Sequence, residues 1–148
     1  KIAVLGLTFK PETDDMREAP SLAILPLLIE RGARIKAHDP HGMEEAAKEL
    51  PDSVQYTDNI DDAVRDADAI VLMTEWNQYR GLDLGKLKAL MRGDVFVDLR
   101  NVYERQWMQE HGFKYSCVGR YSSIQTAISF SPAPAATLLA DPPAMISL

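Results

Sequence analysis

The sequence predicts an α/β fold: a Rossmann-like, doubly wound parallel sheet of about six strands in the order 3-2-1-4-5-6, with helices on both faces. Two observations carry this prediction. Short apolar runs at residues 1–7, 34–38, 53–56, 69–73, 95–97 and 113–118 alternate with capped or helix-periodic segments, and parallel strands need such crossovers. The run Ala69-Ile70-Val71-Leu72-Met73 shows no polar alternation, as a strand covered by helices on both faces requires. The chain of 148 residues, 46% hydrophobic and 26% charged, has room for one domain and a short addition.

Each element has a local reason. Residues 1–7 read as a buried strand already under way at residue 1, ending where Gly6 lets the chain turn, so the chain looks cut from something longer. A polar loop over residues 8–19 leads to Pro20-Ser21, which opens a helix. Leu22, Ile24, Leu25, Leu28 and Ile29 cover more than one side of that helix and predict deep burial, with a kink at Pro26 and a stop at Gly32. After the second strand, residues 42–50 form an acidic helix. A short strand then precedes a helix capped by Asp58 or Asn59. Asp83 caps the helix that carries Leu84, Leu87, Leu90 and Met91, and Gly93 stops it. Residues 102–111 give one more helix before the last strand. From residue 121 the chain has no Lys or Arg and only one acid, and is rich in Ser, Ala and Pro. Residues 1–120 are thus the domain. Residues 121–148 are a tail or linker, with an edge strand through Ile124, Thr126, Ile128 and Phe130 as the alternative.

Composition removes several functions. A net charge of −6 argues against a nucleic-acid groove. No apolar run reaches the ~20 residues that cross a bilayer, and no signal-peptide cleavage region follows the first strand, so a cytoplasmic protein is expected. The single cysteine, Cys117, has no disulfide or zinc partner and reads as a small core residue. His38, His41 and His111 lack metal-ligand spacing. No P-loop or nucleophile elbow is present.

Open α/β sheets bind ligands beyond the carboxyl ends of their strands, near the point where strand order reverses. The loops leaving strands one, four and five, at Thr8-Phe9-Lys10-Pro11, Thr74-Glu75-Trp76-Asn77 and Leu99-Arg100-Asn101, should therefore converge. They would bring Lys10 and Arg100 to one edge with Arg17 close by, a phosphate-type anion site in an acidic protein. Pairing of Lys10 and Arg17 with Glu12, Asp14, Asp15 or Glu18 is the competing expectation. Gly6-Leu7-Thr8-Phe9-Lys10-Pro11 has one glycine where a dinucleotide fingerprint has three. Asp39, at the place of a ribose-binding acid, is accordingly read as a turn former beside Pro40. Trp76 and Trp107 read as packing residues, and Glu75 and Asn77 either meet the ligand or merely shape their loop.

Four separated motifs now resemble one family. Gly6-Leu7-Thr8-Phe9-Lys10-Pro11-Glu12-Thr13-Asp14-Asp15-Met16-Arg17-Glu18-Ala19-Pro20-Ser21 is similar to the opening of the C-terminal, UDP-binding domain of the UDP-glucose/GDP-mannose dehydrogenase family. Ala37-His38-Asp39-Pro40, Thr74-Glu75-Trp76-Asn77-Gln78-Tyr79-Arg80 and Val97-Asp98-Leu99-Arg100-Asn101 resemble its later landmarks, and Gly119-Arg120 its close. The Thr-Glu-Trp and Asp-Leu-Arg-Asn forms are most like the UDP-glucose 6-dehydrogenase branch. The resemblance implies a parent enzyme, a homodimer, that oxidises UDP-glucose twice with NAD through a cysteine thioester; a separate N-terminal domain binds the NAD. It implies that Phe9, Lys10 and Arg100 contact the UDP-sugar and that Arg17 reaches toward NAD. The NAD domain, the dimer helix and the catalytic-cysteine motif are absent from this chain, which by itself is expected to be inactive. The alternatives are a sibling acting on GDP-mannose or a UDP-N-acetylhexosamine, and a non-catalytic assembly module.

Overall fold

The computed structural model describes residues 1–119, of which Lys1–Val118 form one compact unit. The expected tail at 121–148 and its edge strand lie outside the described residues. Six strands, β1 (Ile2–Leu5), β2 (Ile35–His38), β3 (Gln55–Tyr56), β4 (Ala69–Leu72), β5 (Val95–Asp98) and β6 (Lys114–Cys117), form one sheet in the order β3-β2-β1-β4-β5-β6. Every pair is parallel. The strand order predicted from the spacing of apolar runs is the order found.

Successive strand residues point to opposite faces, and the core divides accordingly. Ala3, Leu5, Ile70, Leu72 and Phe96 face one cluster with Tyr79, Leu84, Leu87 and Met108. These last four come from α4 (Asn77–Arg80), α5 (Leu84–Leu90) and α6 (Arg105–Glu110). Val4, Val71 and Met73 face the other cluster, where Leu25 of α1 (Pro20–Glu30) and Ala46 of α2 (Met43–Ala47) pack. Central β1 and β4 therefore bury both of their faces, the reason for their unbroken apolar runs. Asn59 caps α3 (Ile60–Val64) by accepting from the Asp62 amide at 3.0 Å, and Asp83 caps α5 by accepting from the Lys86 amide at 3.1 Å. Gly6 has φ +94° and lies where a Cβ would sit 2.6 Å from the Thr74 backbone nitrogen, so only glycine lets β1 turn beside the loop after β4.

Several expectations need correction. Helix α1 is not deeply buried: only Ser21 and Leu25 are, and Leu27 is 57% exposed. A helix lying on a sheet covers one side of itself, and among the described residues nothing covers the other. The helix predicted over 102–111 starts only at Arg105, because Asp98 captures the Val102 and Tyr103 amides at 2.8 and 3.0 Å and holds that stretch as a turn. Helix α2 stops at Ala47, short of the predicted 42–50, while the Leu50 amide still reaches the Ala46 carbonyl at 2.9 Å. Helix α4 was not anticipated; four residues carry too little periodicity to be read. Trp107 is 44% exposed, its ring packing against Tyr103 and His111, and Cys117 is half-buried on edge strand β6, at the margin of the first core cluster with the Arg105 guanidinium 3.3 Å from its sulfur.

At the end of β2, His38 is buried with Nδ1 2.7 Å from the Tyr79 hydroxyl, which donates to the His38 carbonyl at 2.9 Å. Burial holds the His38 pKa below its ordinary 6.5, with Asp39 and Asp58 opposing. The unfolded chain therefore takes up a proton near pH 6.5 that the native state resists, so stability is complete above that pH and falls as pH drops through it. Thermal unfolding should show a Tm that falls from about pH 7.5 to about 5.5 in the native chain, with a flatter profile in His38→Gln. Equal slopes would exclude His38 as the cause.

Candidate functional site

The loops predicted to converge are tied together by hydrogen bonds at the carboxyl edge of the sheet. The Thr74 hydroxyl, in the loop after β4, donates to the Thr8 carbonyl in the loop after β1 at 2.7 Å. Arg100, in the loop after β5, donates from Nε and Nη2 to the two Glu75 oxygens at 3.0 and 3.1 Å. Neighbouring loops are thus linked pairwise across β1, β4 and β5.

Asp39 organises the first loop. The residue is 1% exposed. Oδ2 accepts from the Leu7 and Thr8 amides at 2.7 and 3.1 Å, and Oδ1 from the His41 and Gly42 amides at 2.9 and 2.7 Å. The Thr8 hydroxyl stands 3.3 Å from Oδ2 and 3.0 Å from the Lys10 carbonyl, with one proton to give. Asp39 is therefore the turn former expected, and also a clamp joining the turn after β2 to the loop after β1. Gly42 allows the clamp to close, since a Cβ there would lie 2.3 Å from the Thr8 methyl. Ser21 adds a 2.7 Å bond to the Leu7 carbonyl from α1. Asp98 does the same for the fifth loop: Oδ1 accepts from the Arg100 amide at 3.0 Å, and Oδ2 from the Tyr115 hydroxyl at 2.7 Å as well as from the two amides that delay α6.

The four candidate residues have different settings. Phe9 is 44% exposed and lines a cleft of about 320 Å³ with Asp15, Arg17 and Glu18. Lys10 is exposed and, among the described residues, makes no salt bridge. Arg17 is gripped from Nε and Nη2 by the Asp15 oxygens at 3.1 and 2.9 Å. The Arg17 hydrogen bonds hold the Asp15 carboxyl down at about 2. For Arg17 the local pairing weighed from the sequence is thus realised, and for Lys10 it is not. Burial opposes the Glu75 charge, but the Arg100 hydrogen bonds prevail and keep its carboxyl below the ordinary range. Glu75, expected either to meet the ligand or to shape its loop, instead pairs with Arg100, since a Glu one residue after Thr74 gives no sign of a partner 25 residues on. Trp76 is buried in the core and meets the His41 ring edge-on at 4.9 Å, so its reading as a packing residue holds.

A larger cleft of about 610 Å³ lies between the first loop and α2, but Asp14, Asp15, Glu45 and Glu49 line it against Arg17 and Lys48. That lining repels a polyanion. Among the described residues no group of His, Cys, Asp or Glu forms a metal site, and no helix is long and apolar enough to cross a membrane. The residues present do not fit a self-contained dinucleotide site either. The first loop has no glycine fingerprint, and both Asp39 oxygens that would face a ribose are occupied by backbone amides.

Fold and edge together define a nucleotide-binding type of α/β domain whose loops offer cations without a dinucleotide loop. Comparison with known proteins narrows this. Residues 3–105 match the family described as "UDP-glucose/GDP-mannose dehydrogenase family, UDP binding domain", and the chain belongs to that family. It is 48% identical over 120 residues to a UDP-glucose 6-dehydrogenase of Rhizobium meliloti (strain 1021), covering 81% of this chain and 27% of that protein. It is 44% identical over 124 residues to a UDP-glucose 6-dehydrogenase of Pseudomonas aeruginosa, covering 80% and 27%. Among solved structures, a UDP-glucose dehydrogenase from Pyrobaculum islandicum superposes with a TM-score of 0.62 at 38% identity, covering 78% of this chain and 24% of the other. An NDP-N-acetyl-D-galactosaminuronic acid dehydrogenase from Methanosarcina mazei Go1 superposes with a TM-score of 0.70 at 33% identity, covering 80% and 24%. The chain thus spans about a quarter of the length of these relatives.

If Asp39 holds the first loop, Asp39→Asn must turn one acceptor oxygen into an amide that faces N–H donors. Chemical denaturation should show a loss of about 3 kcal/mol, with a smaller loss for the exposed control Asp58→Asn. Equal losses in the two variants would remove Asp39 from that role.

Proposed function

We infer that this chain is the UDP-sugar-binding domain of a UDP-glucose 6-dehydrogenase, a parent enzyme that oxidises UDP-glucose to UDP-glucuronate with two NAD. The observation that carries the reading is the linked edge of three loops presenting Lys10 and Arg100, in a chain 48% identical to an enzyme of that name. The sibling substrates, GDP-mannose and UDP-N-acetylhexosamines, are the second reading, favoured by structural similarity to the N-acetylgalactosaminuronic acid dehydrogenase.

In this reading the domain binds and orients; it breaks no bonds. Lys10 Nζ and the free edge of the Arg100 guanidinium hold the diphosphate oxygens, with charged hydrogen bonds of about 1.5–3 kcal/mol each. Phe9 offers an exposed ring to the substrate. Binding the remote diphosphate positions the sugar for oxidation in the rest of the parent. NAD belongs to an N-terminal domain of the parent, and Arg17, 89% exposed and already oriented by Asp15, reaches toward it. Cys117 ends edge strand β6 beside Arg105 and has no part in the chemistry. The boundary near residue 120 and a homodimeric, cytoplasmic parent complete the proposal.

In the intact parent enzyme, Lys10→Ala and Arg100→Ala should each lower kcat/KM for UDP-glucose by at least about tenfold, roughly 1.4 kcal/mol. Steady-state kinetics unchanged in both variants would remove the two residues from the site.

A further inference from the structure

We propose that Glu75 is a positioning residue for the anion site, holding the Arg100 guanidinium by one edge so that its other edge faces the ligand. The inference rests on the reading of this edge as a diphosphate site and adds a residue to it.

A guanidinium has five N–H donors in a fixed plane. Glu75 engages one on Nε and one on Nη2, at 3.0 and 3.1 Å, which leaves one hydrogen of Nη1 and the second of Nη2 as an end-on fork, with the other Nη1 hydrogen on the far side. That remaining fork matches two phosphate oxygens. The contact is between loops, 25 residues apart in sequence, with side-chain exposures of 34% for Arg100 and 26% for Glu75. Arg100 is fixed at both ends. Its amide is held by Asp98 at 3.0 Å, and its tip by Glu75. Asp15 grips Arg17 by the same two nitrogens, but locally and at 89% Arg17 exposure, so the interloop pair at Glu75 is the one that sets a cation relative to a neighbouring strand end.

Glu75 could act in two opposing ways: by orientation, it spares a bound anion the cost of immobilising a long side chain; by charge, it competes with that anion. Ordering one such side chain is worth about three- to tenfold in affinity. Gln separates the two effects, because its carbonyl still accepts from Arg100 while its charge is gone.

The test uses the 148-residue chain as wild type, Glu75→Gln and Glu75→Ala, each checked for an unchanged amide spectrum outside the three loops. The ¹⁵N heteronuclear NOE of the Arg100 Nε–H reports its order without ligand, and calorimetry with UDP reports affinity. The proposal expects an ordered Nε–H in wild type and Gln, a mobile one in Ala, and UDP binding about three- to tenfold weaker in Ala than in Gln. An Nε–H equally ordered in all three, or Ala binding UDP as tightly as Gln, would overturn it. If wild type takes up no UDP while the NOE pattern holds, Glu75 still positions Arg100 and the uridine diphosphate reading is what fails.

Discussion

A carboxylate withdrawn from water must be repaid in hydrogen bonds, and at Asp39 the repayment shapes the carboxyl edge of the sheet. Four backbone amides converge on its two oxygens, two from the loop after β1 and two from the turn after β2. None of the four can relax without leaving charge or amide unsatisfied, so the loop that carries Phe9 and Lys10 is held at its start, at Leu7 and Thr8. Thr74 then registers that loop against its neighbour after β4, where glycine at position 6 is the only residue thin enough to let the two backbones pass. In a nucleotide-binding unit with a glycine-rich loop, the acid at this place faces the ligand. Here it faces the protein.

Asp98 repeats the device at the end of β5, and its consequence is electrostatic. With the Arg100 amide anchored at Asp98 and its guanidinium spanned by Glu75, the cation stands at a set place with part of its charge already balanced. Arg17 is balanced in the same manner by Asp15. Lys10 makes no salt bridge among the described residues, and neither does Arg80 on α4, whose charge acts on Glu75. The loop after β1 carries Glu12, Asp14, Asp15 and Glu18 beside Lys10 and Arg17, so this edge offers individual cations and no broad basic face.

Sheet order and the convergence of the three loops were legible because they follow from coarse signals. Doubly buried strands such as Ala69–Leu72 lose their polar alternation, and right-handed crossovers leave few orders open. What was not legible depends on partners distant in sequence. The late start of α6 is set by Asp98, whose capture of the Val102 and Tyr103 amides overrides helical tendency. Glu75 and Arg100 meet because β4 and β5 are adjacent and in register, from Ala69↔Val95 to Leu72↔Asp98, which no local pattern announces. Helix α1 misled for a different reason. Leu27 and its apolar neighbours imply burial, yet among the described residues the sheet covers only one side of it. The family motifs identified Phe9, Lys10, Arg17 and Arg100 as a group, but not that two of the four would already be paired.

The most direct test of the account is where a nucleotide lands. Amide chemical-shift mapping of the 148-residue chain with UDP, and with GDP as control, is predicted to give saturable shifts confined to residues 8–17, 74–77 and 99–101, larger for UDP. Shifts centred on the opposite edge of the sheet, or none up to about 10 mM, a limit near −2.7 kcal/mol, would contradict a preorganised uridine diphosphate site in this domain.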